Sequence, residues 1–127
     1  MKIFNLVEPW RFKTNFVDEN NVVLGWDMEH QCSESFGWSL FEDEDCKRVV
    51  IMNAFDIGMV IDLPGFAFDP SYVRYEQNAA IFKIVGKNFE QDYEMSLYIR
   101  LENRHNGYYS HGFKFTQNET VIVKGFL

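Results

Sequence analysis

Two short polar segments hold all three histidines of the chain and one of its two cysteines. The first covers residues 29–34, and the second covers residues 103–112. Imidazole and thiol groups titrate near neutrality and bind metals, so they are the side chains most often recruited for chemistry. Their concentration in two places predicts that these segments form the functional surface.

A metal site is one hypothesis for these segments. If residues 29–34 are extended, side chains alternate, and His30, Cys32 and Glu34 share one face. With His111 brought near by sheet pairing, they would form a nitrogen and sulfur set suited to zinc, with Glu34 as fourth ligand or general base. Such a site would bind a metal or small ligand, with hydrolysis as its reaction. The sequence does not show that the segments meet, and ordinary core and turn roles are the alternative.

A protein-binding surface is the second hypothesis. Tyrosine supplies a large contact area at low entropic cost, and arginine is enriched at interface hot spots. The second segment offers a group of such contact residues at a predicted hairpin tip: Arg104, His105, Asn106, Tyr108, Tyr109 and Ser110. The alternative for any single aromatic residue is burial in the core of a β domain.

A run of four acidic residues adds a further candidate contact surface, formed by Glu42, Asp43, Glu44 and Asp45. It suits a partner with a basic or polar surface, or it mimics a phosphate chain. The alternative is a solvated loop that keeps the protein soluble.

Charge and hydropathy exclude several other classes of function. A net charge of −7 argues against direct nucleic-acid binding, which depends on clustered lysine and arginine. No apolar run approaches the roughly 20 residues that cross a bilayer, so no membrane association is expected. The first nine residues lack the pattern of a signal peptide, which predicts a cytoplasmic protein with free thiols and no cofactor unless zinc is bound.

The elements that must position these residues are strands. The 127 residues, 46% of them hydrophobic, suit one domain over 1–127. Period-two alternation recurs and no segment keeps a 3.6-residue apolar stripe. We therefore predict a mainly β fold, an antiparallel β-sandwich or a strongly bent sheet or partial barrel, with at most short helices.

The strands follow from β-favouring runs between turn signals. Residues 10–17 and 22–30 should form a hairpin around a turn at 18–21, with Val22, Leu24, Trp26 and Met28 on one face. Residues 47–55 are ambiguous between strand and short helix, and 69–71 read as a turn. The other predicted strands are 36–41, 57–63, 80–85, 95–101, 108–115 and 120–126.

Residues 95–101 and 108–115 are predicted to pair as a hairpin around Asn106. A two-residue loop would split the apolar residues between both faces, whereas a three-residue loop over 105–107 places Ile99 opposite Phe113 on one apolar face. A five-residue loop preserves this facing and stays open. His111 then lies on the apolar face and is expected to be partly buried, with a hydrogen-bond partner.

At the same residues the chain resembles a small family of uncharacterised domains of bacteria and their phages. Its members carry a Cys-Cys-Glu segment after a strand and, much later, an Asn-Gly-Tyr-Tyr-Ser hairpin. Here residues 32–34 read Cys-Ser-Glu and residues 106–110 read Asn-Gly-Tyr-Tyr-Ser. The resemblance covers roughly 22–115 and implies a phage or mobile-element setting, but the family has no assigned activity to transfer. Ser33 replaces the second cysteine, so a thiol pair cannot form there.

These observations favour a small acidic, non-catalytic protein-binding domain, encoded by a phage or mobile element and acting as an inhibitor or immunity-type protein against a host or rival protein. The alternative is a metal-binding or small-ligand-binding domain that uses His30, Cys32, Glu34 and His111.

Overall fold

The computed structural model describes residues 1–8, 11–28, 36–52, 60–87, 93–104 and 110–127. Two antiparallel sheets of six and five strands pack face to face and do not close into a barrel. The described residues contain no helix. The predicted mainly β sandwich is therefore confirmed. The apolar side chains that alternate along the strands fill the space between the two sheets.

Eleven strands build the two sheets. The six-stranded sheet has the order β11-β10-β3-β2-β1-β6, and the five-stranded sheet has the order β5-β4-β9-β8-β7. Their bounds are β1 Lys2–Glu8, β2 Arg11–Val17, β3 Val22–Asp27, β4 Phe36–Phe41, β5 Val49–Met52, β6 Val60–Asp62, β7 Ala67–Glu76, β8 Ala79–Lys87, β9 Glu94–Asn103, β10 Gly112–Gln117 and β11 Thr120–Phe126.

The core lies between the sheets and is rich in aromatic rings. Phe115 of β10 packs against Phe68 and Phe82 of the opposite sheet, with ring centroids 4.9 and 5.0 Å apart. Phe16 of β2 meets Trp38 of β4 edge to face at 5.2 Å. Such edge-to-face contacts are the arrangement that the ring quadrupoles favour. The high phenylalanine content of the sequence is thus used mainly to join the two sheets.

The first hairpin is confirmed, and its turn holds a buried carboxylate. β2 pairs with β3 in the predicted way, Phe16 opposite Leu24. Asp18 follows β2 and accepts hydrogen bonds at Oδ1 from the amides of Asn20 and Val22, each 2.9 Å long. Its Oδ2 accepts a third, 2.8 Å long, from the amide of Phe68 in the other sheet. One side chain therefore closes the turn and joins the sheets.

The predicted hairpin between residues 95–101 and 108–115 is wrong. β9 pairs with β4 and β8 in the five-stranded sheet, whereas β10 pairs with β3 and β11 in the six-stranded sheet. The segment between them crosses from one sheet to the other. The facing was correct for a different reason: Ile99 and Phe113 are both buried, but they point into the core from opposite sheets. Gly107, the expected turn glycine, lies outside the described residues.

The predicted turn at residues 69–71 is also wrong. β7 runs through these residues, and its pairing with β8 shifts between Phe68 and Val73. The turn signals are nevertheless used locally, because Asp69 accepts a hydrogen bond from the amide of Ser71 within this bulge. Pro70 has no amide hydrogen to donate, and it is tolerated because β7 is the edge strand of its sheet.

The ambiguous stretch from 47 to 55 contains a strand, β5, over Val49–Met52. The predicted strand at 57–63 is confirmed over Val60–Asp62 as β6, and its first three residues lie outside the described part. In the ranges that the structure describes, no helix is long and apolar enough to cross a membrane.

We predict that Asp18→Asn lowers the free energy of unfolding by about 2–4 kcal/mol. The side-chain oxygen of asparagine can still accept the hydrogen bonds of the turn, but its NH2 group would face the backbone N–H of Phe68. Two donors would then meet in a buried place, and neither would have an acceptor. Urea denaturation measures the change. The control is Asp69→Asn, at an exposed bulge, which should shift the midpoint much less. Equal effects of the two variants would contradict the role given to Asp18.

Candidate functional site

The two polar segments identified in the sequence leave the sheets at the same end of the sandwich. The first follows β3 and precedes β4, and the second follows β9 and precedes β10. Phe36, at the start of β4, pairs with Asn103, at the end of β9. The His111 ring stacks on Phe36 with centroids 4.1 Å apart and planes 20° apart. The described flanks of both segments are therefore neighbours, as a shared site requires.

Most of the predicted ligands and contact residues within these segments lie outside the described residues. This applies to His30, Cys32, Glu34, His105, Asn106, Tyr108 and Tyr109. Arg104, Ser110, His111 and the four acidic residues at 42–45 are described.

His111 was predicted to be partly buried, and the structure buries it more fully, with 2% of its surface exposed. Its Nδ1 lies 2.9 Å from the carbonyl oxygen of Asp27. A carbonyl oxygen only accepts, so Nδ1 carries the proton and donates. In that tautomer the lone pair of the ring is at Nε2. Trp26 and Phe36 pack around the ring and hold its orientation.

A cavity of about 540 Å³ lies on the outer face of the five-stranded sheet, beside this end of the sandwich. Arg104 and Asp45 both line it, although the sequence placed them on separate candidate surfaces. Phe36 borders it as well. The cavity is also lined by Cys46, Met52, Glu76, Arg100 and Glu102. The structure therefore joins one end of the acidic run to the flanks of the polar segments.

A chain of ion pairs forms one wall of this cavity. Glu76 accepts from Arg74 and from Arg100, with N···O distances of 2.5 Å in both cases. Glu102 accepts from Nε of Arg100 and from Nε of Arg104, each at 2.8 Å. Arg100 is the central member, with a side chain only 16% exposed. A network of this kind is held more firmly than isolated surface pairs, because each carboxylate orients two guanidinium groups.

The network shifts the titration of its members. Burial works to lower the pKa of Arg100, but the hydrogen bonds to Glu76 and Glu102 outweigh it and raise that pKa above its usual value. The hydrogen bond from Arg100 is the largest cause that lowers the pKa of Glu76. Both groups are therefore charged at neutral pH, and they largely compensate each other.

The acidic run is only partly available to a partner. Asp43 accepts hydrogen bonds from the amides of Lys47 and Arg48, and the latter bond is the largest cause of its lowered pKa. Glu44 accepts a hydrogen bond from the hydroxyl of Tyr72, 3.1 Å long. These two residues hold the loop in place over the sheet, while Glu42 and Asp45 remain exposed.

Cys46 presents a thiol to the same cavity. It is a free cysteine, as the sequence predicted, and its backbone has a positive φ of 54°. Burial is the largest cause that raises the pKa of Cys46, and it outweighs the neighbouring Arg100, which lowers it. The thiol is therefore protonated at neutral pH and is a poor nucleophile. Cys32 lies outside the described residues.

The sequence analysis missed Glu76, Arg100 and Glu102. The signal was present, because Arg100, Glu102 and Arg104 recur at every second residue, the spacing that puts them on one face of a strand. Glu76 comes from β7, and no sequence pattern links β7 to β9. Only the pairing of both strands with β8 brings its carboxylate to Arg100.

The described residues contain no group of three or more histidine, cysteine or acidic side chains that would hold a metal ion. Comparison of the chain with models of protein families, with curated proteins and with solved structures finds no match. The side chains that line the cavity include two guanidinium groups, three carboxylates, the protonated thiol of Cys46 and an exposed methionine.

We predict that the stability difference between the wild type and Glu76→Gln depends on pH. The pKa of Glu76 is lowered in the folded state, so the stabilisation by its charge is present above the usual value of 4.5 and is lost as the pH falls through the lower, folded-state pKa. Urea midpoints from pH 7 to pH 3 should therefore converge in acid. The control is Glu94→Gln, at an exposed position without an ion pair in the described part of the chain. A Glu76→Gln difference that is constant over this pH range would contradict the assignment.

Proposed function

We propose that this protein is a non-catalytic protein-binding domain that contacts its partner with the end of the sandwich where the two polar segments leave the sheets. The observation that carries the proposal is the shared cavity of Arg104 and Asp45, bordered by Phe36. Two surfaces selected independently as contact candidates thereby become parts of one surface. In keeping with the family resemblance, we place the protein in a phage or mobile-element setting, as an inhibitor or immunity-type protein.

The composition of this surface supports binding more than catalysis. The side chain of Arg104 is 72% exposed, and Met52, which lines the same cavity, is 69% exposed. Accessible arginine and methionine side chains are typical of protein interfaces, where both residue types are enriched. Of the three carboxylates that line the cavity, those of Glu76 and Glu102 are paired with arginines, and the thiol of Cys46 is protonated. These three groups are therefore not activated as nucleophiles or bases.

The exposed charges also indicate the kind of partner. Arg104 and Asp45 both line the cavity, and Asp45 is exposed and forms no ion pair with another described residue. A partner surface that is polar and carries both signs of charge, with a basic group opposite Asp45, complements this arrangement. Complementary charges of this kind mainly determine specificity and association rate.

The test is a charge exchange that keeps the net charge, Arg104→Glu with Asp45→Lys. The matched control is Lys87→Glu with Glu94→Lys, at the opposite end of the same sheet, where the two residues are cross-strand neighbours. We expect the wild type and the control to capture the same protein from host cells, and the purified partner to bind the Arg104 and Asp45 variant at least about tenfold more weakly.

Two results would contradict the proposal. If no protein is enriched over a tag alone, the protein-binding function is wrong. If the captured protein binds the Arg104 and Asp45 variant as tightly as the wild type, the partner uses another surface.

A zinc site is the second candidate function, and the orientation of His111 favours it. Metal-bound histidines commonly donate their other ring N–H to a carbonyl oxygen, which directs the lone pair at the metal. His111 makes such a bond to Asp27, and it packs against Phe36 directly after the first polar segment. In this proposal His30, Cys32 and Glu34 supply the remaining ligands.

We predict that the full-length protein from zinc-supplemented medium carries about one zinc per chain and that His111→Phe abolishes it, since phenylalanine preserves the stacking on Phe36 but has no ligand atom. Elemental analysis measures the metal, and His105→Ala is the control that should retain it. A structural role for His111 predicts the opposite pattern. In that case no variant binds zinc, and His111→Phe loses about 1–3 kcal/mol of stability with the hydrogen bond to Asp27.

A further inference from the structure

The outer face of the six-stranded sheet carries a second, larger groove of about 940 Å³, on the opposite side of the molecule from the cavity described above. Three lysines line it, Lys13, Lys114 and Lys124. In the part of the chain that the structure describes, none of the three forms an ion pair within 4.0 Å. Lys13 lies directly opposite Asp27 on the neighbouring strand, whereas Lys114 and Lys124 have no acidic residue directly opposite them on a neighbouring strand.

The strand register places two of these lysines against each other. Lys114 of β10 lies directly opposite Lys124 of β11, and its neighbour on the other side is Gly25 of β3. Like charges directly opposite on adjacent strands are destabilising. An anionic group seated between the two ammonium groups would remove this repulsion.

An exposed aromatic ring lies next to the lysine pair. Phe126 is 77% exposed, and it lies opposite Gly112. A Cβ atom at Gly112 would lie 3.4 Å from Cε1 of Phe126, so the ring covers this glycine. One face of the ring therefore rests on backbone while the other face is open to the groove. Such a ring is a platform on which a planar ligand group can stack.

The spacing of the platform and the lysine pair defines the ligand. Phe126 and Lys124 are two residues apart on one face of β11, as are Gly112 and Lys114 on β10, which corresponds to about 7 Å along the strands. The matching ligand joins a planar ring to an anionic group through a short spacer. Nucleotides have this construction, with a base and a phosphate on opposite sides of a sugar.

We propose that this groove binds a small nucleotide, with its base stacked on Phe126 and its phosphate between Lys114 and Lys124. A long single strand of nucleic acid fits less well. Asp27 and Glu119 also line the groove and interrupt the positive surface. The net negative charge of the chain would moreover repel an extended polyanion. The site is separate from the protein-binding surface proposed above.

The test is a titration of the full-length, ¹⁵N-labelled protein with AMP, GMP, CMP and UMP, followed by NMR. We expect at least one mononucleotide to shift the amide signals of Gly112, Lys114 and Phe126. The same base as a nucleoside, and inorganic phosphate alone, should each bind about tenfold more weakly, because each keeps only half of the contacts. The decanucleotide of thymidine serves as the probe for a single strand.

Three variants assign the contacts. Phe126→Leu and the double change Lys114→Gln with Lys124→Gln should each weaken mononucleotide binding about tenfold, whereas Phe126→Tyr retains the stacking and the affinity. Lys47→Gln with Lys87→Gln is the matched control for charge and should bind like the wild type. The amide spectrum verifies that each variant is folded.

Any of three results would overturn the proposal: no mononucleotide binds, inorganic phosphate binds as tightly as the nucleotides, or the decanucleotide binds while the mononucleotides do not. The second result would reduce the site to a pair of surface lysines. The third would make the groove a nucleic-acid surface.

Discussion

The packing of the two sheets depends on the buried carboxylate of Asp18, which lies in the turn between β2 and β3. This carboxylate accepts three hydrogen bonds. Two of them close the turn between β2 and β3, and the third holds the amide of Phe68 in the opposite sheet. A carboxylate in a buried position is costly unless its oxygens have partners. Because the bond to Phe68 reaches the opposite sheet, its directional geometry favours one relative position of the sheets in a way that apolar packing alone does not.

A second connection between the sheets lies at the other end of the sandwich and prepares the candidate site. The side-chain amide of Asn103, at the end of β9, donates to the carbonyl oxygen of Leu127, which follows β11. Leu127 in turn exchanges two backbone hydrogen bonds with His111. These bonds anchor both flanks of the second polar segment to Leu127. The site is thus built on rigid strand ends, which is the usual foundation for recognition loops on a sandwich.

The two outer faces of the sandwich differ in their charged side chains, because a different set of strands forms each face. On the five-stranded sheet, arginines and glutamates alternate across β7 and β9 and neutralise one another in a continuous network. On the six-stranded sheet, Lys114 of β10 and Lys124 of β11 lie opposite each other in a groove, with no acidic residue directly opposite either of them. The chain as a whole is acidic, so the positive groove is a local property that net charge does not reveal. This difference is the reason for assigning two separate binding roles to the two faces.

The sequence by itself determined most of the strands, the hairpin of β2 and β3 and the inward faces of the predicted strands, because these depend on alternation and turn residues that are local in the chain. It did not predict β1 over Lys2–Glu8, and it placed His111 on an apolar face through a hairpin that the structure does not contain. Sheet membership was decided only by tertiary structure. Ile99 and Phe113 satisfy the same apolar pattern whether they are neighbours in one hairpin or face each other across a core, so periodicity could not separate a hairpin from a crossover. The pairing of Glu76 with Arg100, the cavity shared by Arg104 and Asp45, and the opposed lysines Lys114 and Lys124 all follow from strand order and register. Those depend on contacts between residues far apart in sequence, about which a local pattern carries no information.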